Sequence, residues 1–106
     1  MNEPQHKLVW FVPEEALDAT REAVFAAGAG RIGDYDRCSL YTAGTGTFRG
    51  GEGTAPAIGD PGREERTPEL RVETVVPADK SDAVVAALLK AHPYEEVAYD
   101  LYELVS

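Results

Sequence analysis

At 106 residues the chain has room for one hydrophobic core and not for two. Hydrophobic residues at 43% and charged residues at 27% exclude a disordered tail and predict a single soluble globular domain over 1–106. Nineteen carboxylates against ten lysines and arginines give a net charge of −9, which repels phosphate backbones, disfavours nucleic acid as a partner and attracts cations.

The opening "MNEPQHK" has no basic segment leading into an apolar one, so no signal peptide is expected. The run from Lys7 to Val12 alternates in a β-rich pattern and ends at Pro13, which stops a strand and suits a helix start. Glu14, Glu15 and Asp18 complement the positive end of a helix dipole. Leu17, Thr20, Val24 and Ala27 form an apolar stripe at 3–4 spacing. Gly28 and Gly30 terminate that helix. A second strand is predicted over 38–48; it starts at Cys38, the single cysteine, which excludes an internal disulfide and fits a reducing compartment.

Residues 44–62 hold seven of the ten glycines and predict a Gly/Pro-rich excursion at about 49–68. Loops beyond about 12–15 residues in a compact domain are usually functional or disordered. A third strand carries Leu70, Val72 and Val76 alternating with Arg71, Glu73 and Val75. Pro77 opens a second helix, with Asp79 and Asp82 in its first turns and a stripe of Val84, Leu88 and Ala91. His92 and Pro93 end it, and residues 95–105 read as a fourth strand. No apolar run approaches the roughly 20 residues that span a bilayer, so a cytoplasmic protein without membrane contact is expected.

The segments from Lys7 and from Arg71 align without a gap at an offset of 64, Pro13 falling on Pro77. A strand–helix–strand order used twice predicts an α+β, ferredoxin-like βαββαβ fold, a four-stranded antiparallel sheet with two helices on one face. The first strand has large apolar residues on both faces, Leu8, Trp10 and Val12 against Val9 and Phe11. One set must lie away from the helices, and such a patch predicts a homo-oligomer.

Candidate chemistry is sparse. The glycines and threonines of Gly44, Thr45, Gly46 and Thr47 suggest a bare-backbone anion cradle, without the lysine or following helix of a nucleotide loop. Only His6 and His92 are available as imidazoles, and neither stands in a nucleophile or paired metal motif, so no catalytic residue is expected. His92, Tyr94, Glu95 and Glu96 are candidate ligand contacts. His92 and Glu95 are weak candidates for a divalent cation completed by a neighbouring subunit. Under the alternative reading, His92 sits at the negative end of the helix and the following residues are an ordinary strand.

The stretches "GAGRIGDYDRCS", "GTGTF" and "AHPYEEVAYD", in that order, resemble the domain inserted into Nif-three-like (Ngg-interacting-factor-like) dinuclear-metal proteins across residues 7–104. His92–Glu95 also resembles a motif of CutA-like divalent-cation-tolerance proteins, relatives in architecture of PII-like signal proteins. The resemblance implies a free-standing CutA-like module that associates in threes, without the metal-holding lobes and so without a supported enzymatic activity. Its expected role is a regulator or binder of a small ligand or divalent cation at subunit edges, with no firm cofactor. The alternatives are an interaction module partnering a full-length relative and, least favoured, an enzyme using His92 with Glu95 or Glu96.

Overall fold

A computed structural model describes residues 3–53 and 60–105. Strands β1 (Gln5–Val12), β2 (Ser39–Arg49), β3 (Glu64–Pro77) and β4 (Tyr99–Glu103) alternate with helices α1 (Leu17–Ala26) and α2 (Ser81–Ala91). The sheet is antiparallel in order β2-β3-β1-β4, the arrangement expected of two split βαβ units. The internal repeat is visible in three dimensions. Each helix is entered through a short 3-10 turn, Glu14–Ala16 and Ala78–Lys80, and the helices begin at Leu17 and Ser81, the same offset of 64.

The core lies between the sheet and the helices, where Leu8, Trp10, Val12, Val72 and Val76 meet Leu17, Val24, Val84 and Leu88. Full burial of each such side chain contributes about 1.5–3 kcal/mol. Trp10 is fully buried and its indole N–H donates to Thr20 Oγ1 at 3.1 Å. Thr20 thus occupies its place in the helix stripe with its hydroxyl satisfied. Helix α1 ends in a Schellman arrangement: Ala29 N–H bonds Val24 O and Gly28 N–H bonds Phe25 O, both at 3.0 Å. Gly28 takes φ 119 there, a conformation open to glycine.

Three expectations change in detail. The excursion placed at about 49–68 is shorter, because Arg49 pairs with Glu64 and the ladder continues inward from that pair. Residues 54–59 lie outside the described residues. The glycines of β2 are tolerated because the threonines between them favour an extended chain and β3 supplies a complete partner. Pro68 sits past the last β1 pair, Val12 with Leu70, where β3 has a neighbour on one side only and a missing N–H costs nothing.

The fourth strand is also shorter than 95–105, starting only at Tyr99, since residues 92–98 wrap round the end of β1. Finally, the open face of β1 is not bare. Val9 is only 1% exposed, set between its register partners Glu73 and Asp100, with Glu73 paired to Lys7 and Arg71. Exposed large apolar residues lie instead on the two edge strands, Leu40 and Tyr41 on β2 and Tyr99, Leu101 and Tyr102 on β4, and outside the sheet, among them Ile32, Tyr35 and Leu89.

Candidate functional site

Helix α2 stops because Pro93 cannot continue it, and His92 turns into an extended conformation (φ −81, ψ 138). The imidazole is thereby carried to β1, where Nε2 lies 2.6 Å from the Phe11 carbonyl oxygen. Nδ1 accepts the Tyr94 amide N–H at 3.1 Å. An accepting Nδ1 places the proton on Nε2, which donates to Phe11, so the ring is in its neutral form. Burial holds its pKa below the ordinary value, the Phe11 carbonyl pulling the other way. The tyrosine ring of Tyr94 tilts against the imidazole, centroids 4.8 Å apart.

His92 is therefore a clamp between the helix end and the strand end rather than a charge at the helix dipole. Both ring nitrogens are engaged, so a metal on His92 would have to displace a hydrogen bond. Glu95 and Glu96 are exposed beyond it. Among the described residues no group of three or more His, Cys, Asp or Glu is placed to hold a metal ion.

Gly44, Thr45, Gly46 and Thr47 lie in β2, within the strand predicted over 38–48, paired with Glu69, Pro68, Thr67 and Arg66. Their backbone belongs to the ladder, which removes the loop conformation an anion cradle needs. What the glycines provide is space. Gly44 and Gly46 face the open side of the sheet, and the Glu69 carboxylate lies on the spot a side chain at Gly46 would fill. Here a groove of about 410 Å³ runs along residues 42–47 of β2, bounded by Phe11, Glu69, Arg71 and Ala98.

The groove's charges are unequal. The Arg71 guanidinium lies 5.9 Å from the Phe11 ring centroid and is paired with Glu73 at 3.2 Å. The Glu69 carboxylate has no ion pair or hydrogen bond among the described residues, and burial pushes its pKa above the ordinary range. The Tyr94 hydroxyl is buried without a hydrogen-bond partner. Its pKa is raised by burial, then by the negative charges of Glu69 and Glu15.

Phe11 joins the two regions singled out by sequence. Its ring lines the groove, its carbonyl holds His92, and its N–H donates to Ala98 O at 3.3 Å. Glycines 44 and 46 and the His92–Tyr94 segment are thus brought to neighbouring positions at one end of the sheet. Sequence reasoning missed Phe11, Glu69, Arg71 and Ala98. The only available signal was the alternation of β3, which puts Glu69, Arg71 and Glu73 on one face.

No protein-family model matches the chain. It is 51% identical over 104 residues to a protein of Halalkalibacterium halodurans named GTP cyclohydrolase 1 type 2 homolog, covering 98% of this chain and 28% of that protein. Among solved structures it is similar to a Bacillus cereus protein related to NIF3, with a TM-score of 0.85 and 44% identity, covering 98% of this chain and 26% of the other. CutA from Synechococcus elongatus superposes with a TM-score of 0.69 at 20% identity, covering 98% of this chain and 80% of that one. That last likeness shows the fold. The chain is related to one stretch of NIF3-type proteins, spans about a quarter of their length, and folds as CutA does.

Proposed function

We propose that this NIF3-related, CutA-like chain is a non-enzymatic, self-associating module that binds a small ligand in the open-face groove at its subunit edge. One observation carries the reading: the groove lies along β2, an edge strand whose outer side has no partner among the described residues. The opposite edge, β4, exposes Tyr99, Leu101 and Tyr102. Long edges bearing apolar side chains are templates for pairing with another chain. The two edges are different surfaces, so pairing β2 of one copy with β4 of the next is head-to-tail, the kind of contact that forms a ring when the rotation between copies closes. A ring of three is the assembly proposed. In it the groove sits beside a subunit boundary, where a neighbour can complete a site for a small molecule or a divalent cation.

Both imidazoles support binding over catalysis. His92 is held by Phe11 and Tyr94, and the hydroxyl that His6 Nδ1 meets at 2.6 Å, Ser81 Oγ, belongs to a buried residue at the start of α2 that a substrate does not reach. The cyclohydrolase in the relatives' names refers to proteins of which this chain spans about a quarter. We assign it no share of that chemistry. Among the described residues no helix is long and apolar enough to cross a membrane, and the lone cysteine favours a cytoplasmic setting. Native mass spectrometry at micromolar concentration tests the assembly: a trimer is expected, and a monomer overturns it.

A second reading, a module that docks a protein partner such as a full-length relative, is favoured by the turn at Ile32–Tyr35. Reciprocal 3.0 Å bonds between Ile32 and Tyr35 close it, with Gly33 at φ 57. It holds Ile32 and Tyr35 out in solvent at 55% and 77% exposure. Calorimetric titration with divalent metals and nucleotides separates the readings, silence throughout favouring the second.

A further inference from the structure

We propose that the open-face groove takes a small organic cation of the amidinium or guanidinium type, its planar N–H fork closing on the Glu69 carboxylate and its apolar body lying on Phe11, Ala98 and the glycine floor of β2. The inference rests on the ligand-binding reading above and names the ligand's chemistry. Glu69 is the one charge in the groove without a counter-ion among the described residues: Arg71, two residues along the same face, is neutralised by Glu73. The absence of a Cβ at Gly44 and Gly46 leaves a flat strip beside that carboxylate, and at Gly46 it is what admits the carboxylate at all. A planar body fits such a strip beside the Phe11 ring.

Other ligand classes fit less well. A bare divalent cation needs several oxygen ligands at short range, and Glu69 is the groove's only carboxylate. A volume of about 410 Å³ is that of an organic ligand site. An anion meets Glu69 unpaired and Arg71 already satisfied. A neutral apolar molecule would bury Glu69 without a partner, beside a Tyr94 hydroxyl that has none, and an unpaired buried charge opposes binding. A guanidinium or amidinium supplies two parallel charge-assisted bonds to one carboxylate, and the net charge of −9 concentrates cations around the protein.

The experiment follows backbone amide shifts in the full chain during titration with benzamidine, methylguanidinium, benzoate and magnesium or zinc ions, with the oligomeric state read on the same samples by native mass spectrometry. The expected result is saturable movement of the Gly44, Gly46 and Ala98 amides with both organic cations and none with benzoate. Glu69→Gln, which keeps shape and loses charge, is expected to weaken binding by about tenfold or more. Glu69→Asp, which keeps the charge, is expected to bind more tightly than Glu69→Gln. No saturable shift with either organic cation up to tens of millimolar overturns the proposal, as do equal binding of benzoate, undiminished binding by Glu69→Gln, or shifts at these amides with metal ions alone. A trimer that ignores the organic cations overturns the ligand class and leaves self-association standing. A monomer that binds them does the reverse.

Discussion

The His92 imidazole and the Phe11 carbonyl lie 2.6 Å apart across 81 residues of sequence, and this bond fixes where α2 ends against β1. Removing the ring leaves the Phe11 carbonyl and the Tyr94 N–H without their partners. His92→Ala is therefore expected to cost about 1–3 kcal/mol of stability, measured by urea denaturation. An unchanged midpoint would show that the clamp contributes nothing.

The same ring predicts a pH dependence. Burial lowers its folded pKa below the ordinary 6.5, so on acidification the unfolded chain takes up this proton first. Stability from His92 is complete above about pH 6.5 and falls as the pH drops below it. Melting curves between about pH 8 and pH 5 should show this decline in the native chain, and a shallower one in His92→Gln.

Glu69 has the opposite sign. Its folded pKa is raised above the ordinary 4.5 by burial, so the charged form costs stability at neutral pH, and the cost begins to shrink as the pH falls through the folded value and is gone below the ordinary one. Glu69→Gln is expected to melt higher than the native chain at neutral pH and to lose that advantage in acid. A lower melting temperature at neutral pH would mean the carboxylate has a stabilising partner.

Gly46→Ala puts a methyl group where the Glu69 carboxylate lies. The obstacle is the end of a flexible side chain, so the fold should persist with a loss of no more than about 1 kcal/mol. The carboxylate should swing into solvent and its pKa fall toward the ordinary value. Carboxyl carbon shifts against pH read this directly; an unmoved titration midpoint counts against the packing of Glu69 on Gly46.

Leu101→Lys places a charge on the exposed β4 edge, a device that blocks strand pairing. It is expected to convert the proposed trimer to monomers in native mass spectrometry while leaving the circular dichroism spectrum unchanged. A trimer that survives this substitution would place the interface elsewhere.

The fold was legible because its signals are local and repeated. Pro13 and Pro77 mark equivalent strand ends, and Leu17, Thr20 and Val24 mark a buried helix face with the right period. The 64-residue offset predicted the βαββαβ order before any contact was known. The fit failed where a residue's state depends on a distant partner. Gly44–Thr47 fall within the strand predicted over 38–48, and pairing with β3 keeps them there; it is the anion-cradle reading of the same four residues that their distant partner undercuts. His92 reads as a helix-end cation or a ligand, yet the Phe11 carbonyl makes it a neutral clamp.

What the sequence by itself determined is the order and type of the elements and the helix-facing core, since periodicity and capping act within a few residues. Only the tertiary structure decided the candidate site. Phe11, Glu69 and Ala98 come from β1, β3 and the approach to β4, and nothing in their local context distinguishes them from ordinary sheet residues. Their significance lies in one carboxylate beside a glycine and without a partner among the described residues, and burial and pairing are set by the neighbours that folding brings together.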